Sequence, residues 1–217
     1  MWEKICMTQS NSENIRNRRL PVLGITGGIG SGKSEVIKFL SGQPDHVVIE
    51  SDRLAHSLME PGNTAWEKVV EAFGTGILDE EGMIDRAKLG SIVFSDPEKL
   101  EQLNNAVHPC VKEYILEDIK RASDEGKKLY VIEAALLVQD GYREICDAIW
   151  TIYVPKEVRI RRLLESRGGS REKWESVFSS QPEDEWFREN TDLCIENTGT
   201  REELIQAVKE ELKAFLA

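Results

Sequence analysis

A short apolar run, Pro21-Val22-Leu23-Gly24-Ile25-Thr26, predicts a buried strand. After a glycine-rich stretch, Glu35-Val36-Ile37-Lys38-Phe39-Leu40 spaces its apolar positions along one helix face. Asp45-His46-Val47-Val48-Ile49-Glu50-Ser51-Asp52 predicts a second buried strand that ends in acidic residues. From Leu54 to about Glu125 the spacing is nearly all helical, over Ala65 to Phe73, Arg86 to Phe94, Pro97 to Val107 and Val111 to Ala122. Strand character returns in Lys128 to Ala135 and in Ala148 to Val154, where Pro155 ends it. This order predicts an α/β fold: a parallel sheet with helices on both faces, and a helical insertion over residues 54–125 between the second and third strands.

Between the first strand and helix lies Gly24-Ile25-Thr26-Gly27-Gly28-Ile29-Gly30-Ser31-Gly32-Lys33-Ser34. Within it, Gly27-x-x-x-x-Gly32-Lys33-Ser34 meets the phosphate-binding loop pattern at every fixed position, in the required order of strand, loop and helix. Such a loop wraps a phosphate in successive backbone N–H groups, here from Gly28, Ile29, Gly30, Ser31 and Gly32 through Lys33, Ser34 and Glu35. The helix starting near Lys33 turns its positive end toward the anion, the Lys33 ammonium reaches the β/γ oxygens, and the Ser34 hydroxyl ligates Mg²⁺. A nucleoside triphosphate is the expected ligand, and the fold is expected to be of the P-loop NTPase type.

The 217 residues suffice for a sizeable core, and the net charge of −11 argues against broad attraction to nucleic acid or anionic membrane. Positive charge must therefore be concentrated locally. Cys6, Cys110, Cys146 and Cys194 are widely spaced, with no C-x-x-C pair, which suggests neither a zinc site nor a disulfide framework. No apolar stretch approaches the roughly 18 residues of a membrane span, and no signal-peptide core is present, so a cytoplasmic location is expected. Thr8 to Arg19 is almost without apolar side chains; residues 1–20 are read as a mobile extension, whose Arg16, Arg18 and Arg19 are assigned to a solvated tail in preference to an anion-binding arm. No protein partner is predicted.

Phosphoryl transfer also needs an acceptor base, a metal-holding carboxylate and positive charge for the moving group. Asp52, at the expected strand end, is the candidate base, with a helix N-cap as its structural alternative. Glu133, after the apolar run Leu129 to Ile132, is the candidate for holding Mg²⁺ through water, against the alternative of a buried structural Glu; Glu50 is a further candidate for the metal or the substrate. Arg159, Arg161, Arg162, Arg167 and Arg171 cluster around Gly168-Gly169 in residues 156–180, as a mobile lid closing on a triphosphate requires. Arg162 and Arg167 are the expected phosphate contacts, the others pairing with Glu157 and Glu165 along a helix. At His108-Pro109 the proline is expected to break the helix after Val107, which makes the imidazole a candidate for facing a cleft, with a capping or packing histidine as its structural alternative.

Taken together, the sequence resembles the dephospho-coenzyme A kinase family from about Leu23 to the C-terminal helix. The resemblance is carried by the loop, Glu50-Ser51-Asp52, Pro61-Gly62, Phe73-Gly74, Ile84-Asp85-Arg86, Val93-Phe94-Ser95-Asp96, His108-Pro109, Leu136-Leu137, Gln181 and Ile195-Glu196-Asn197-Thr198-Gly199. It implies ATP-dependent phosphorylation of the ribose 3′-hydroxyl of dephospho-CoA. By the same resemblance, Asp52 is the base, Lys33 and the loop hold ATP, Thr26 lies beside the transferred phosphate, and Arg162 belongs to the lid. His108 and Leu136 fall on the dephospho-CoA side, the helical insertion looks like the substrate domain, and Asn197 and Gly199 resemble the loop near the adenine. Glu50 stands where the family usually has Asp, and Ala135 and Gln139 replace a Pro and a Glu; Glu35 replaces a Thr after the loop, and Arg159 replaces a Gln. The Arg162 to Arg167 spacing is one residue longer than usual. The motifs shared with other kinases leave two alternatives: a kinase of nucleoside monophosphates, shikimate or gluconate, or a nucleotide-binding switch without transfer activity.

Overall fold

The computed structural model describes residues 20–179 and 181–217; of the expected N-terminal extension, residues 1–19 with Arg16, Arg18 and Arg19 lie outside the described residues, whereas Leu20 is buried in the core rather than part of a mobile segment. By contacts the chain divides into two compact units, one formed by Met1–Val48 with Ala122–Ala217 and the other by Ile49–Arg121.

The first unit is built on a five-stranded sheet, β1 (Val22–Thr26), β2 (His46–Glu50), β3 (Leu129–Glu133), β4 (Ala148–Tyr153) and β5 (Leu193–Glu196), in the order β2-β3-β1-β4-β5. β1 sits in the centre with all five residues buried, pairing in parallel with β3 (Leu23 beside Val131) and β4 (Ile25 beside Trp150). Strands buried on both faces read as continuous apolar runs, which is why the β1 and β3 segments stand out in the sequence. One face packs on α1 (Lys33–Ser41) and α9 (Arg201–Phe215): Leu23, Ile25, Val131, Trp150 and Ile152 meet Val36, Leu40, Leu204 and Val208. The Thr200 hydroxyl accepts the Glu203 N–H while the Glu203 carboxylate accepts the Thr200 N–H, a reciprocal cap that starts α9. Carboxylates fix the entry to two strands, Asp147 accepting the Val22 N–H and Asp192 the Ile149 N–H, both at 2.7 Å. β5 is a strand that the apolar pattern alone does not announce.

His46 opens β2 with a largely buried side chain, and burial pulls its pKa below the ordinary value, against the opposing pull of Asp45. An unfolded imidazole takes up its proton near pH 6.5, whereas the folded one does so only at lower pH. Stability is therefore complete above about pH 6.5 and declines as the pH falls through that value toward the folded pKa. His46→Gln should flatten the fall in melting temperature between about pH 7.5 and 5; an unchanged slope would show that His46 is not its source.

The second unit is helical: α2 (Ser51–Leu58), α3 (Thr64–Phe73), α4 (Arg86–Val93) and α5 (Pro97–Asp124), the last ending in the first unit, with a 3₁₀ turn at Thr75–Ile77. Asp85 Oδ1 caps α4 by accepting the Ala87 and Lys88 N–H groups at 2.9 and 3.1 Å. The expected helix break at Pro109 does not occur, and α5 runs through it. An interior proline costs about 3 kcal/mol. Val107, Val111 and Ile115 on the same helix are each at most 5% exposed, and burying such side chains contributes about 1.5–3 kcal/mol apiece, enough to override the local preference. His108 therefore projects from a continuous helix and is half-buried. No helix among the described residues is long and apolar enough to cross a membrane.

Candidate active site

The glycine-rich loop leaves β1 at Thr26 and enters α1 at Lys33, at the carboxyl end of the central strand. In the strand order, β1 lies between β3 and β4, reached from opposite directions along the sheet. Open α/β sheets bind their ligands at such a point. Gly27 has φ 137°, and a Cβ there would meet the Ile152 carbonyl at 2.5 Å; Gly32 has φ 98°, and a Cβ would meet Asn197 Nδ2 at 2.2 Å. Both positions exclude a side chain by conformation and by space. Gly32 is also the N-cap of α1 and contributes no side-chain cap, so the amide end of the helix faces the loop's concavity without a protein carboxylate to cap it.

Lys33 Nζ donates to the Gly27 carbonyl at 2.6 Å and to that of Gly28 at 3.4 Å, holding its charge over the loop. Ser34 is exposed in the first turn of α1, and Glu35 pairs with Arg201 of α9. Thr26 is buried, its hydroxyl donating to the Ala135 carbonyl at 3.1 Å. Glu133 ends β3 half-buried beside Ile25, and Leu136 is exposed two residues past Ala134.

Asn197, just past β5, is buried and bonds in three directions. Its Nδ2 donates to the Ser31 carbonyl at 2.8 Å and its N–H to Tyr153 at 2.8 Å, while its own carbonyl accepts from Arg162 Nη2 at 3.0 Å. The loop, the end of β5 and α6 (Lys156–Arg167) are thus joined at one residue. Gly199 lies exposed before the α9 cap, where a Cβ would meet Glu203 Oε2 at 2.0 Å.

The arginine cluster divides by environment. Arg162 joins Asn197, and Arg167 is exposed at the end of α6. Arg159 turns inward: it pairs with Asp184 of α8 (Asp184–Asn190) and lies 4.7 Å over the Phe178 ring. Arg171 opens α7 (Arg171–Ser179) between Glu157 and Glu175, and these carboxylates raise its pKa above the ordinary value. Trp174 Nε1 donates to the Gly168 carbonyl at 2.9 Å, strapping the glycine pair to α7. A second contact escapes charge patterning as well: Gln181 Oε1 accepts the Ile29 N–H at 3.0 Å, and, like Arg159 and Asp184, the two residues are remote in sequence.

In the second unit, Asp52 occupies the first turn of α2 rather than the strand end, and it is exposed. The N-cap is Glu50, which makes no side-chain cap and instead pairs with Arg53 at 2.7 Å. Among the described residues no group of three or more His, Cys, Asp or Glu side chains is placed to hold a metal ion. A hydroxyl and one carboxylate fit a magnesium ion that takes most of its oxygens from phosphates and water.

Comparison with known proteins agrees with this arrangement. Residues 21–203 match the family model described as dephospho-CoA kinase. The chain is 38% identical over 197 residues to a dephospho-CoA kinase of Carboxydothermus hydrogenoformans, covering 91% of this chain and 93% of that one. A crystal structure from Thermus thermophilus superposes with a TM-score of 0.76 at 32% identity, over 91% of this chain and 98% of that one. The dephospho-CoA kinase of Campylobacter jejuni gives 0.65 at 29% identity, over 89% and 98%. A phosphate loop at the centre of a parallel sheet, and a match running through nearly the whole chain, lead to one assignment: the chain belongs to the dephospho-CoA kinase family.

Proposed function

We propose that this protein transfers the γ-phosphoryl group of ATP directly to the ribose 3′-hydroxyl of dephospho-CoA, giving coenzyme A and ADP. The observation that carries the reading is the phosphate loop at the end of β1, with Lys33 poised over it and family membership supplying the acceptor. The loop amides, apart from the Ile29 N–H that Gln181 Oε1 already accepts at 3.0 Å, bind the β- and γ-phosphates together with Lys33, and positioning with charge stabilisation supplies most of the rate enhancement. Asp52 accepts the proton of the attacking hydroxyl, so the nucleophile gains negative character as the P–O bond forms. Thr26 lies beside the transferred group. Ser34, with Glu133 through water, would hold Mg²⁺, which would supply positive charge to the phosphate oxygens.

Arg162 and Arg167 belong to a lid over 156–180 that places guanidinium charge on the transferring phosphoryl and excludes water. Asn197 and Gly199 border the adenine, while His108 and Leu136 contact the acceptor. Purified protein with Mg-ATP should form ADP only when dephospho-CoA is added, with coenzyme A identified by mass. Equal ADP formation without the acceptor, or turnover of shikimate, gluconate or a nucleoside monophosphate in its place, would overturn the assignment.

A further inference from the structure

Ile29, at the tip of the phosphate loop, is tied outward rather than toward the loop's concavity. Its N–H donates to Gln181 Oε1 at 3.0 Å. Its side chain packs against the cluster of Ile160, Leu163, Trp174 and Phe178 that joins α6 to α7. The neighbouring Gly28 lies against Arg159: a Cβ there would meet Arg159 Nη1 at 2.0 Å and Gln181 Oε1 at 3.5 Å. Arg159 is itself held by Asp184 and Phe178. The chain between α7 and α8 therefore grips the loop tip through a hydrogen bond, and α6 and α7 grip it through apolar packing.

A loop amide satisfied by a protein oxygen is withheld from phosphate and fixes the peptide planes on either side of it. We propose that Gln181 is a positioning residue for the donor nucleotide: by accepting the Ile29 N–H, it presets the loop tip and couples it to the helices of the lid. This inference rests on the reading of the loop as the ATP site. Without the acceptor, the Ile29 amide turns between solvent and the concavity, and ATP must order the tip as it binds. The loss then falls on nucleotide affinity, because the groups that meet the transition state are unchanged.

Gln181→Met removes the acceptor oxygen at nearly constant volume, and Gln181→Glu retains an oxygen in its place. The Met variant should raise the KM for MgATP roughly tenfold, as loss of one well-placed hydrogen bond to a partly buried amide implies. Its KM for dephospho-CoA should stay put, and amide hydrogen exchange in the Gly28–Gly30 segment should quicken. The Glu variant should return that exchange to the wild-type rate. An unchanged KM for MgATP in the Met variant would overturn the inference. So would a parallel change in both KM values with a lowered melting temperature, or a Glu variant exchanging as fast as the Met variant. Calorimetric titration of the wild-type protein with MgATP separates the two levels. No binding there removes the ATP reading itself, whereas binding with an indifferent Met variant removes only the role of Gln181.

Discussion

Lys33→Ala lowers kcat/KM for MgATP by roughly 10²–10³, the loss seen when a preorganised donor to a developing charge is removed. The ammonium group lies within 2.6 and 3.4 Å of two loop carbonyls, so only a small swing separates its resting position from the phosphate it would meet. These two bonds lie within the loop, and the apolar side of α1 (Val36, Ile37 and Leu40) that anchors the helix is untouched. Melting temperature should accordingly move little while steady-state turnover collapses. Near-wild-type kinetics with dephospho-CoA as acceptor would remove Lys33 from the chemistry and leave the loop as a turn between strand and helix.

Asp52→Asn should reduce kcat by about 10²–10⁴, the usual contribution of a general base, with a much smaller change in the KM for dephospho-CoA. The amide keeps the shape of the carboxylate and loses only its basicity. Asp52 is exposed in the first turn of α2, where a negative charge favours the helix by about 0.3–1 kcal/mol. The structural cost is therefore slight and its sign is known: the variant should melt slightly earlier. Measuring kcat and melting temperature on the same preparation distinguishes the roles. A large thermal shift with retained turnover would make Asp52 a helix-start residue and no base.

The order of strand, loop and helix from Val22 to Ser41 was legible because two rules coincide there. A buried parallel strand leaves a continuous apolar run, and the loop's glycines are demanded by conformations and contacts that no other residue meets. β5 escaped the same reading because it has four residues, of which only Ile195 is buried, and so offers no run to detect. The expected break at Pro109 failed for the opposite reason: a strong local signal yielded to burial along α5, which no short window contains. The arginine cluster was visible as charge, but its division was not. Arg159 and Asp184 stand 25 residues apart, and only the packing of α8 brings the carboxylate to the guanidinium. Gln181 was noticeable only as a shared motif position, since an uncharged amide gives composition nothing to register.

Asn197 gives the site a further property through its three bonds to Ser31, Tyr153 and Arg162. Segments that share buried hydrogen bonds open together rather than singly. The loop, the ends of β4 and β5, and α6 should therefore open as one unit, and a nucleotide bound to the loop, as proposed, would make that opening rarer. Binding of phosphate at the loop would then slow the breathing of strands that never touch it, so that protection at the ends of β4 and β5 would report on occupancy of the loop.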